Sequence, residues 1–82
     1  LVLLFGSRSL PDSNTNAQAS GYTNATLTGL VETADYNGAA GNGGGVMVAA
    51  GVMNTAGAVG TTTATLTTAA SKGLITLALA PA

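Results

Sequence analysis

Thr61-Thr62-Thr63-Ala64-Thr65-Leu66-Thr67-Thr68 carries the clearest period-two pattern in the chain. Thr63, Thr65 and Thr67 fall on one side and Ala64 and Leu66 on the other, the alternation of a strand with one wet face. β-branched Thr reinforces that reading, because its stiff χ1 suits a pleated surface better than a helix.

Working outward, Ala69 to Gly73 reads as a turn and Leu74 to Ala80 as a further strand. Ile75, Leu77 and Leu79 share one of its faces, and Pro81 ends it. On the other side, Asn54 to Gly60 supplies a turn, preceded by the continuous small-apolar run Val46 to Met53. That run is expected to be a strand buried on both faces. A helix over 46–60 is the competing reading. At 15 residues it falls short of the ~20 needed to cross a bilayer. Gly51, Gly57 and Gly60 would each cost such a helix about 1 kcal/mol.

Thr23 to Tyr36 predicts another strand. Its alternation changes phase at Gly29, as at a β-bulge. Asn37-Gly38 is a favoured turn dipeptide, and 37–45 reads as a glycine-dense loop. Leu1 to Phe5 is a strand-sized apolar patch, and Pro11 opens a polar stretch rich in Ser, Asn, Asp and Gln. The chain thus divides into an apolar N-terminal strand (1–10), a polar linker (11–22) and a β domain (23–82). The fold expected is all-β: a small antiparallel β-sandwich or jelly-roll-like domain of four or five strands.

Composition narrows function by exclusion. Only Arg8, Asp12, Glu32, Asp35 and Lys72 carry charge, and 41 of the 82 residues are Gly, Ala or Thr. His, Cys and Trp are absent. Two cations cannot neutralise a run of phosphates, so no nucleic-acid partner is expected, and no basic patch exists to hold an anionic membrane. Positive mean hydropathy (+0.44) and a net charge of −1 argue against disorder. The 22 larger apolar side chains are few for ordering a chain of this length. Small folds usually make up that deficit with disulfides, metals or association. Without Cys or a ligand set, association remains.

The motifs that resemble sites are incomplete. Asp12-x-Asn14-x-Asn16 matches the opening of a calcium loop, but Ala17 stands where Gly is required and Thr23 where a bidentate acid is required. Gly41-x-Gly43-Gly44-Gly45 is followed neither by the Lys-Ser/Thr of a phosphate loop nor by the helix and later acid of a dinucleotide fold. Glu32 and Asp35, an odd number of residues apart, point to opposite faces of a strand unless a bulge intervenes. Ser71 and Lys72 are adjacent rather than spaced as a catalytic pair. No catalytic residue, metal site or cofactor is expected, and the chain reads as a non-enzyme. Asn24-Ala25-Thr26 is an N-glycosylation sequon, and Thr63, Thr65 and Thr67 form a hydroxyl face able to carry O-linked sugar, so covalent glycans enter as candidate partners.

The segment that bears on function is 1–10. Leu1, Val2, Leu3, Leu4, Phe5 and Leu10 form an apolar arm on a linker of 11 residues from Pro11 to Gly21, which spans at most about 36–40 Å. Such an arm has two fates: an ordinary strand of its own sheet, or a strand donated to a neighbour. A donated strand makes a head-to-tail contact that propagates into a fibre. The expectation is a structural subunit of an extracellular filament, pilus- or fimbria-like, whose partners are copies of itself. A leader cleaved before Leu1 accords with export, and no membrane span is expected in 1–82. The alternative is a virion component, a capsid decoration or fibre protein.

Overall fold

The computed structural model describes residues 1–9, 19–38, 43–66 and 72–81. These residues are all-β with antiparallel sheets, as the sequence predicts, and they contain no helix. The strands are β1 (Val2–Arg8), β2 (Ala19–Thr23), β3 (Thr28–Gly38), β4 (Gly44–Val52), β5 (Thr63–Leu66) and β6 (Lys72–Ala78). Four of them form one sheet in the order β3-β4-β1-β6, and β2 pairs with β5 in a second. The N-terminal strand is therefore an inner strand, held between β4 and β6 of its own chain.

Register converts this order into two faces. Residues opposite one another across a sheet share a face. On one face, termed inner, the cross-strand rows are Asn37-Gly45-Arg8-Lys72, then Asp35-Met47-Gly6-Leu74, then Glu32-Ala49-Leu4-Thr76. A last row holds Gly51, Val2 and Ala78. Val2, Gly6, Arg8, Met47, Ala49 and Gly51 are all buried, which identifies this as the core side. Leu27 lies over it, its Cβ 3.2 Å from where a side chain at Gly51 would begin.

Two glycines make the inner rows possible. A Cβ at Gly45 would sit 2.0 Å from Asn37 Oδ1, and one at Gly6 would sit 2.6 Å from Met47 Cε. Across the bare Gly45, Arg8 on β1 reaches Asn37 on β3. Over the bare Gly6, Met47 lies flat. The core is small: Val2, Ala19, Met47 and Ala49 are the buried hydrophobic residues among those described.

Several local expectations need amending. Gly29 does sit at a register shift, between Thr28 and Val31, with φ 63°. Asn37-Gly38 is not a turn; both residues extend β3, because Asn37 is recruited to Arg8. β2 occupies 19–23, which overlaps the stretch read as linker. β4 is buried on its inner side only, while Val46 and Val52 on the other side are exposed. Six strands rather than four or five are present among the described residues.

Candidate functional site

The other face of the four-stranded sheet has an unusual composition. Its rows are Tyr36-Val46-Ser7-Gly73, then Ala34-Val48-Phe5-Ile75, then Val31-Ala50-Leu3-Leu77. Leu1 and Leu79 close the end of the sheet. The Leu1 nitrogen donates to the Leu79 carbonyl at 3.2 Å, and the Leu79 amide donates to the Leu1 carbonyl at 2.8 Å. Alternation along the strands puts both on this outer face, together with Val52.

Ten large hydrophobic residues among those described are exposed. Nine of them stand on the outer face, and the tenth, Leu74, faces inward. Every charged residue described belongs to an inner row: Arg8, Lys72, Asp35 and Glu32. The outer face therefore carries no charge among the described residues. Such segregation is the reverse of a solvated sheet face, which normally alternates polar residues outward.

Beside that face runs an open edge. Among the described residues β6 pairs with β1 on one side only, and all seven of its residues are exposed. An edge strand of this kind offers unpaired N–H and C=O groups to another strand. Lys72 at its start is the one charged residue along it.

The charged side chains among the described residues meet on the inner face. Arg8 Nη2 donates to Asp35 Oδ1 at 3.0 Å and to Asn37 Oδ1 at 2.9 Å, and both charged side chains are almost fully buried. The Ala19 amide donates to Asp35 Oδ2 at 2.6 Å, which ties β2 to β3. Tyr22, from β2, lies near this cluster. Burial chiefly, with the negative charges of Glu32 and Asp35, pushes its phenol up to about 12, and Arg8 opposes that shift. The cluster joins three strands, and among the described residues its buried Arg8 Nε and Tyr22 hydroxyl have no hydrogen-bond partner. Between β1, β6 and the β2–β5 layer lies an open cleft of about 400 Å³, lined by Leu4, Tyr22, Met47, Leu66 and Leu74 among others. Among the described residues, no group of three or more His, Cys, Asp or Glu side chains is placed to hold a metal. No helix there is long and apolar enough to cross a membrane.

The residues singled out from sequence are distributed as follows. Leu1, Leu3 and Phe5 stand on the outer face, and Val2 and Leu4 on the inner; Leu10 lies outside the described residues. Asn24 is half-buried. Its Nδ2 donates to Thr62 Oγ1 at 2.8 Å, and its Oδ1 accepts from the Thr26 amide at 2.8 Å. Thr63 and Thr65 are exposed on β5, and Thr67 lies outside the described residues. Sequence reasoning missed the contributions of β3 and β4 to the apolar face. The signal was present in Val31, Ala34 and Tyr36 set against Val46, Val48 and Ala50, but only register reveals that they coincide.

Set against protein-family models, curated proteins and solved structures, the chain matches none of them.

Proposed function

We propose that this chain is a structural subunit that joins copies of itself into an extracellular filament of the pilus or fimbria kind, with β1 donated to a neighbour. The observation that carries the reading is the imbalance, among the described residues, between four buried apolar side chains and nine exposed large ones gathered on one sheet face. A chain so arranged gains more by association than by remaining alone.

Donation of β1 is supported by its place in the sheet. It lies between β4 and β6, and removing it would separate β6 from β3-β4. The same strand from another copy would restore every pairing and the Arg8–Asp35 ion pair, so exchange conserves the contacts of the closed subunit. Exposed Thr63 and Thr65 would carry the sugar of such a fibre. An intact mass above that of the 7.8 kDa polypeptide supports the coat, and the bare mass removes it.

Leu4 and Ala49 face each other across β1 and β4 on the inner side, out of reach of the outer face, which provides the test. L4C chains are mixed with A49C chains, assembled and oxidised. Disulfide-linked heterodimers are expected, and the L4C/A49C double variant should give a ladder on a non-reducing gel. Cross-links confined within single chains would contradict donation. Electron microscopy of the unmodified protein should show open-ended fibres.

A further inference from the structure

We infer that the outer face of the β3-β4-β1-β6 sheet is an isologous interface, covered by the same face of a second copy to give a two-layer sandwich shared between subunits. The inference does not rest on strand donation, because the face has the same composition whichever chain supplies β1.

Three observations select a second copy as the occupant. The first is area. The nine exposed apolar residues retain between 38% and 72% of their surface. With roughly 150–250 Å² for each of the two aromatic side chains and somewhat less for each of the seven aliphatic ones, they present on the order of 700–900 Å². That exceeds the ~300–600 Å² of the largest patch on a typical monomer. It matches the ~800 Å² that each partner contributes to a stable interface.

The second observation is charge. A two-fold axis brings a surface against itself, so any charge on it risks meeting its like, and like charges across an interface cost several kcal/mol. This face carries none among the described residues, while four charged side chains crowd the opposite side of the same sheet. A partner of different chemistry would require no such exclusion. An anionic membrane would require cations around the patch, and both Arg8 and Lys72 belong to inner rows.

The third observation is shape. The face is a pleated sheet in which large side chains (Phe5, Ile75, Leu77, Tyr36) alternate with small ones (Ala34, Ala50, Ser7, Gly73). Two such sheets can interdigitate about 10 Å apart, as the halves of a sandwich do. With the smaller β2–β5 sheet on the inner side, the pair of copies would stack four layers, the two central ones fully buried against each other.

The test introduces charge on the edge strand β6 and on β3, at two exposed side chains of the outer face. Variants I75K/V31K and I75E/V31E are compared with the unmodified protein by sedimentation equilibrium, with circular dichroism to confirm the β signal. The unmodified protein should be dimeric or larger. Each charged variant should dissociate, with an apparent Kd weakened about 100-fold or more by like-charge apposition, and mixing the two should restore association. Exposed T65K, on β5, should leave association unchanged. An unmodified protein that is monomeric at all concentrations, or variants that associate as it does, would overturn the inference. So would a monomer that floats with phospholipid vesicles. If the charged variants lose face pairing but L4C and A49C copies still cross-link between chains, face pairing holds and strand donation stands with it. If face pairing holds and the cross-link does not form, only donation falls.

Discussion

Gly45 shows how much of this fold turns on single positions. It lies between Arg8 and Asn37 in one cross-strand row, and its missing side chain is the passage through which the guanidinium reaches β3. Any Cβ there would overlap Asn37 Oδ1. G45A is therefore expected to destabilise by about 1–3 kcal/mol, as overpacking does, read as a lower urea midpoint. D35N leaves the buried guanidinium without its counter-charge. It should cost roughly 3–5 kcal/mol, whereas the double apolar replacement R8M/D35L should recover most of that loss. Tyr22 adds a pH signature. In the unfolded chain its phenol ionises near 10, but in the folded chain only near 12. Between those values the folded state holds more protons, so stability is complete below pH 10 and falls as pH rises to about 12. Y22F should flatten that decline in thermal melts. The sequence offered Arg8 and Asp35 only as two of five charges. Nothing in their spacing of 27 residues marks them as partners, because the pairing arises from register.

At the scale of elements, strands were legible where local chemistry and tertiary demand agree. The Thr-rich stretch contains β5, while β4 and β6 overlap the small-apolar run and Leu74 to Ala80 but each start two residues earlier than read, and the phase change at Gly29 is a real irregularity with φ 63°. A side chain at that angle is strained, so G29A should cost about 1–2 kcal/mol, measured by chemical unfolding. Asn37-Gly38 misled because its preference for a turn is weaker than the hydrogen bond that Asn37 Oδ1 accepts from Arg8 across β4. β2 escaped notice because Ala19-Ser20-Gly21-Tyr22-Thr23 is short and polar, and its role is fixed by the Ala19 amide on Asp35. β6 was readable as a strand but not as an edge. Sequence does not state which strands have neighbours on both sides.

The whole molecule is open for its size. Its radius of gyration is 13.6 Å, against roughly 12 Å for a compact chain of this length, and it measures 42 × 23 × 17 Å. Low charge and few bulky residues already pointed to association; the sheet order adds where the uncovered apolar surface lies. Its inner face is partly roofed by two short strands, and its outer face has no cover among the described residues. Val2 is the one large side chain described as fully buried. Such a subunit should draw its stability from its neighbours, and a subunit stabilised by self-association melts at a temperature that depends on its concentration. The most direct measurement is the thermal midpoint across a dilution series of the unmodified chain. The midpoint is expected to climb steadily with concentration, and I75K/V31K should remove that dependence. A midpoint that stays constant from the most dilute to the most concentrated sample would mean that the single chain is sufficient to itself, and would contradict the account.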